Sequence, residues 1–455
     1  MKTTGLVSLG FLGLQSFASG AVLEAAGRGR KTVRGYGSLM PDADGLINLP
    51  RGFQYQIISR QGDRMSDGWR VPGKPDGMAA FPGPKGKTLL LRNHELDLEM
   101  QDLSAFAGAP LPQHLRPLLY DAGNSRPAPG GVTTLVYDTR TREVEAEFLS
   151  LAGTLNNCAG GPTPWGTWIT CEETVYRACS VLKHDHGYAF EVPASAEIRL
   201  HAPVPLYDMG RFQHEAVAVD PATSIVYLTE DRADGLIYRF LPRVPGQLTQ
   251  GGKLQALVLR DWFRCDSRNW QDTRQRFPEG ERFAVSWIDL DDIHAPDDDL
   301  RERGHHAGAV RFARGEGMWF GKGECFFACT MGGREQEGQI FRYIPSPFEG
   351  TSREQEQPGQ LELFIEPNNT KLLSNCDNVT QAPNGDLVVC EDTMQPRILG
   401  VTPQGSLYVI AENVGIESEF AGPAFSPDGS TLFVNVQHGG MTFAITGPWA
   451  DRRTA

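Results

Sequence analysis

The stretch NCAGGPTPWGTWITCEE, residues 157–173, opens on an asparagine and a cysteine, turns through glycine and proline, and ends an apolar run on paired glutamates. Two short apolar runs joined by such a turn read as a tight pair of β-strands. The same plan recurs in DGMAAFPGPKGKTLLLRNHE (76–95), HEAVAVDPATSIVYLTED (214–231), GEGMWFGKGECFFACTMGG (315–333), CDNVTQAPNGDLVVCED (376–392) and FAGPAFSPDGSTLFVNVQ (420–437). A supersecondary unit repeated in this way implies a repeat architecture rather than a single irregular sheet.

Most units run on into a third apolar strand: GVTTLVYD (131–138), HGYAFEV (186–192), DGLIYRFLP (234–242), GQIFRYI (338–344) and RILGVT (397–402). Four-stranded blades are therefore expected, and six of them around an axis make an all-β, six-bladed β-propeller, a design that leaves few open strand edges. FQYQIIS (53–59) stands outside the six units and is placed to pair with the last blade and close the ring. The propeller is expected over residues 49–447 as one domain, with 99–129 and 247–313 as loop and short-helix insertions on one face. A two-domain β-sandwich is the alternative, because short strands with turn signals suit that class too.

Composition agrees with a turn-rich β protein: 51 Gly and 31 Pro in 455 residues, with 40% hydrophobic residues, enough for a large core. The net charge of −13, with no cluster of Lys and Arg, excludes a nucleic-acid partner and favours cations. At the N-terminus, an apolar run from Leu6 to Ala18 is too short to span a bilayer, and small residues follow it. Residues 1–26 read as an export signal, and KTTG as the tail of a twin-arginine signal whose arginine pair lies upstream. No later segment is long and apolar enough for a transmembrane helix.

Eight cysteines in so large a chain need not form a disulfide framework. Cys171, Cys325, Cys329 and Cys390 lie in apolar runs, where a thiol acts as a small hydrophobe. Cys158 and Cys376 lie in turns beside Asn157 and Asp377, positions suited to a ligand.

If the innermost strand of each blade starts beside the central channel, the residues opening the units converge there. In order they are Asp76, Cys158, Glu215, Glu316, Asp377 and Ala421. Carboxylates crowded around a narrow axis repel one another unless cations neutralise them, so a metal cluster is one reading and a water-filled channel rimmed by solvated acids is the other. Glu95, Glu172 and Glu173, at the ends of second strands, add further candidate oxygen ligands. Carboxylates favour Ca²⁺ or Mg²⁺, whereas the Cys158 thiolate selects a softer ion such as iron or zinc. His94 and His214 precede Glu95 and Glu215; strand alternation turns neighbours to opposite faces, so these rings, with Asn157, are expected to support the ligands or the core rather than bind metal. Trp165 and Trp168 are expected to pack between blades.

NCAGGPTPWGTWITCEE, RFQHEAVAVDP (211–221), CDNVTQAPNGDLVVCED and FAGPAFSPDGSTLFVNVQ together resemble the PhoX family of secreted alkaline phosphatases, over about Leu49 to Thr446. The resemblance implies a six-bladed propeller, export by the twin-arginine machinery to the periplasm or the exterior, and hydrolysis of small phosphate monoesters at Fe³⁺ ions bridged to Ca²⁺. By motif, Cys158 bridges the irons, Glu215 ligates iron, Glu316 ligates calcium, and Arg314 holds the substrate phosphate as the catalytic arginine. Here ARGEG lacks the proline that the better-known phosphatases carry between the arginine and the glutamate, a departure that touches the substrate pocket more than the metal site.

A calcium-dependent propeller lactonase or esterase is a second function class, against which Cys158 speaks, and a non-catalytic metal-binding propeller is a third. A closed propeller buries its own core, so a monomer is expected.

Overall fold

In a computed structural model that describes residues 32–450, the six units are the inner hairpins of six blades. Each begins with an innermost strand: Pro75–Pro82, Asn157–Pro162, His214–Val219, Gly315–Gly321, Cys376–Gln381 and Phe420–Phe425. These strands touch one another in chain order, and the sixth returns to the first, so they form a closed ring. The third strands lie where the apolar runs predicted, for example Gly130–Asp138 and Ile237–Pro242.

Closure comes from Gln54–Arg60, which pairs antiparallel with Met441–Thr446 in the sixth blade. Residues from the two ends of the described chain reinforce it: the Tyr36 hydroxyl donates to the Trp449 carbonyl at 2.8 Å, and Leu39–Met40 and Ile47–Pro50 extend the fifth sheet. The described fold thus takes in residues before Leu49. The export signal expected over residues 1–26 lies outside the described residues.

Two expectations fail. Residues 247–313 are more than loop and helix: Gly252–Leu259 is the third blade's own fourth strand, and Arg282–Asp289 pairs with both Gly252–Leu259 and Gln360–Ile365, fusing blades three and four into one sheet. The helical part is the short α-helix Leu300–His306 with a 3₁₀ turn at Leu248–Gln250. Among the described residues the second blade has three strands, with a bridge from Phe190 to Pro205 where a fourth would lie. Pro203 and Pro205 have no N–H to offer a ladder there.

The core is divided among the seams between consecutive blades, as with Ile169, Leu228 and Tyr238 between the second and third. Trp168 is buried and donates to Asn93 at 2.8 Å, as expected of a seam residue.

Five of the innermost strands bulge at the same place: after Pro75, Asn157, His214, Gly315 and Cys376 the register slips by one residue, and in the sixth blade it slips after Ala421. A bulge re-aims side chains. It also lets backbones crowd the axis: a Cβ on Gly77 would come within 2.5 Å of the Ala159 Cα, and one on Gly317 within 2.5 Å of the Asn378 Cα.

Candidate metal centre at the propeller axis

The ladder defines three columns of residues around the mouth of the axis. One step into each inner strand stand Asp76, Cys158, Glu215, Glu316, Asp377 and Ala421, the residues expected from the sequence. The residues opening those strands pair with the last residues of the second strands, as in Asn157 with Glu172, His214 with Glu230 and Cys376 with Glu391. One step beyond that partner gives the second column: Glu95, Glu173, Asp231, Thr330, Asp392 and Gln437. The third column is the residue just before each inner strand: Lys74, Asn156, Gln213, Arg314, Asn375 and Glu419. Every blade joins the last two columns through one backbone bond, from Glu95 N–H to the Lys74 carbonyl at 3.0 Å through to Gln437 N–H to the Glu419 carbonyl at 3.4 Å.

Within this mouth, Cys158, Glu173 and Glu215 offer ligand atoms within 4.8 Å of one another, and so do Glu215, Glu316 and Asp377. Glu215 belongs to both groups. The crowding has an electrostatic signature. Burial, then Glu316 and Asp76, push Glu215 well above the usual carboxylate range. Burial, then Glu316 and Glu419, do the same to Asp377, and burial with Asp231 and Glu215 to Glu173. Glu316 is pushed up to about 8 by burial and Asp231, against the opposing pull of Arg314, and Asp76 to about 8 by burial and Glu95. Burial and Glu215 raise the Cys158 thiol. Acids held this way either keep protons or neutralise their charge on cations. A donor set of one thiol and several carboxylates, sharing a central glutamate, fits more than one metal ion.

Not every expected ligand joins. Glu172 is wholly buried and its oxygens are occupied: they accept from His186 Nδ1 at 2.6 Å and from the Leu155, Gly187 and Tyr188 amides, so of the pair only Glu173 stands in a candidate donor group. Glu95 is on the rim, bound to Lys74 Nζ and Gln437 Nε2 at 2.8 Å each. Cys376 opens its strand one residue before the ligand column, and its thiol turns to the Gln339 carbonyl at 3.3 Å. His94 bonds Gly73 O and Thr133 Oγ1, and His214 stacks on Phe212 and bonds Gly210 O; burial keeps both rings neutral, and neither touches a ligand carboxylate. They are core residues. Asn157 bonds Thr154 and Thr170, holding the bulge that aims Cys158.

Arg314 stands at the mouth in a left-handed backbone conformation (φ 55°). Its Nε and Nη2 grip the two oxygens of Asp231 at 2.8 Å each, Nη2 also donates to Glu316 at 2.7 Å, and Nη1 lies 4.0 Å from Asp392. Sequence reasoning missed Asp231, Asp392 and Glu419. The signal was present: CEE, TED and CED align, which puts Glu173, Asp231 and Asp392 in one column.

A closed β-propeller with a thiol and clustered acids at its axis defines the class, a propeller with donor groups at its axis that could hold metal ions. The model of the family described as alkaline phosphatase PhoX matches residues 34–440, and the chain belongs to that family. Its fold is similar to that of Pseudomonas fluorescens PhoX solved with vanadate, a transition-state analogue, at 17% identity and a TM-score of 0.63, over 92% of this chain and 97% of that one. A gluconolactonase from Xanthomonas campestris aligns over 90% of this chain and 98% of that one at 11% identity, with a TM-score of 0.40. Among curated proteins, no sequence matches. Among the described residues, no helix is long and apolar enough to cross a membrane.

Proposed function

We propose that the axis of this PhoX-family protein hydrolyses small phosphate monoesters, with Fe³⁺ and Ca²⁺ as its resident ions. The observation that carries the reading is Glu215, shared between a donor group with a thiol and one made only of oxygens. Cys158 with Glu173 suits a transition metal such as iron, and Glu316 with Asp377 suits calcium. Bound there, such ions supply positive charge to phosphoryl oxygens and lower the pKa of a water nucleophile. Arg314 is fixed by Asp231 and Glu316 through Nε and Nη2, which leaves Nη1 only the looser ion pair with Asp392 at 4.0 Å, and this is the N–H that would meet a phosphoryl oxygen.

The thiol in the donor set disfavours the calcium-only lactonase. Membership of a family of exported phosphatases supports a periplasmic or extracellular site, and the ring closed by Gln54–Arg60 supports a monomer.

Elemental analysis with a p-nitrophenyl phosphate assay tests the reading. Iron and calcium together, with turnover lost on calcium chelation and restored by calcium, are expected. Calcium alone, with no phosphate released, would overturn it.

A further inference from the structure

Lys74 and Arg314 are the two cations of the third column; the other positions hold Asn156, Gln213, Asn375 and Glu419. Both precede an inner strand, both have left-handed backbones (φ 44° and 55°), and both lend their carbonyl to a second-column amide at 3.0 Å. Lys74 belongs to the first blade and Arg314 to the fourth, which the closed order of inner strands puts on opposite sides of the axis. Each is anchored by one second-column acid: Lys74 Nζ by Glu95 at 2.8 Å, Arg314 by Asp231. The Lys74 side chain is only 15% exposed, yet Glu95 takes one of the three protons its ammonium can donate.

From this pseudosymmetry we infer that Lys74 is a second phosphoryl-binding residue, reaching the phosphate from the side opposite Arg314. The inference rests on the phosphatase reading. A terminal phosphoryl group spreads charge over three oxygens, and across the ring from Arg314 the third column offers the Lys74 ammonium to that charge. An ammonium, a compact point charge on a flexible stem, meets one oxygen where the guanidinium fork faces the others. Lys74 thereby favours the doubly charged monoester over a singly charged diester.

The test uses the metal-loaded full chain with Lys74→Gln and Lys74→Arg, read by metal content, by kcat and KM for p-nitrophenyl phosphate, and by inhibition with inorganic phosphate. Lys74→Gln should keep its metals and raise both KM and the phosphate inhibition constant about tenfold or more, the effect of one charge-assisted contact. Lys74→Arg should recover most of the loss. Unchanged KM and phosphate inhibition in Lys74→Gln would overturn the inference. So would metal loss with an unaltered KM in the residual activity, which would make Lys74 a counter-ion of Glu95 only. Failure of the wild-type chain to hydrolyse the ester would instead overturn the phosphatase reading on which this one stands.

Discussion

Arg314→Ala separates metal binding from ester hydrolysis. The wild-type guanidinium makes three charge-assisted bonds, two to Asp231 at 2.8 Å and one to Glu316 at 2.7 Å, and these fix the direction of Nη1. Truncation removes that cation from beside two buried carboxylates. The site becomes more acidic, so it should retain its metal ions. What the transition state loses is one preorganised charged donor, worth about 2.7 kcal/mol, or about 10²-fold in kcat/KM. Inorganic phosphate should inhibit the variant less well. Arg314→Lys should recover little, because an ammonium cannot make two parallel bonds to Asp231 and would lose its anchor. Steady-state kinetics on p-nitrophenyl phosphate, with metal content measured on the same preparation, decide the matter. A variant with full metal content and kcat/KM within about threefold of wild type would refute the argument, since a loss that small is below one charged contact.

Cys158→Ser should abolish activity and the visible absorption of thiolate-bound ferric iron while leaving β content by circular dichroism unchanged; retained colour would exclude the thiol as a ligand. His186 lies between Glu172 and Asp121, at 2.6 and 3.5 Å, and against the burial that would lower it these acids push its pKa up to about 9. A group raised from 6.5 to about 9 contributes fully below pH 6.5, and its contribution, about 3 kcal/mol, is lost as pH rises through 9. Thermal unfolding of wild type should therefore weaken between pH 6.5 and 9 more steeply than that of His186→Gln, and parallel profiles would refute the pairing. Glu173→Gln should lower metal content with little change in melting temperature, whereas Glu172→Gln should lower melting temperature first; the reverse pattern would exchange their roles.

The strand pairs and the inner column of candidate ligands were legible because each repeats in the sequence with the same neighbours, and the closing strand because it is an apolar run left over from the six units. Cys158, Glu215, Glu316 and Asp377 converge as their place in the repeat predicts. The strand Gly252–Leu259 was hidden because it lies outside the repeated hairpin, beyond a loop through Pro245 and Gly246, and no acid marks its end. The missing fourth strand of the second blade was hidden for the opposite reason: the repeat promised one, and two prolines forbade it.

The acid pairs at the ends of second strands were visible as composition but not as phase. Adjacent residues on a strand point to opposite faces, so in CEE, TED and CED the two acids cannot do the same work. The first of each pair turns into the seam and ties loops to its own blade. Glu172 takes the Leu155 and Gly187 amides, Glu230 takes the Leu236 amide and the Tyr238 hydroxyl, and Glu391 takes the Ser374 amide and the Arg397 guanidinium. The second, Glu173, Asp231 or Asp392, turns to the mouth. Which is which depends on the pairing register, fixed by Asn157 opposite Glu172, His214 opposite Glu230 and Cys376 opposite Glu391. That register is set by contacts between strands, and a slip of one residue would exchange every pair. The first acid holds the blade in the register that lets the second face the axis, so the tie in the seam and the donor at the mouth are selected together, as neighbours.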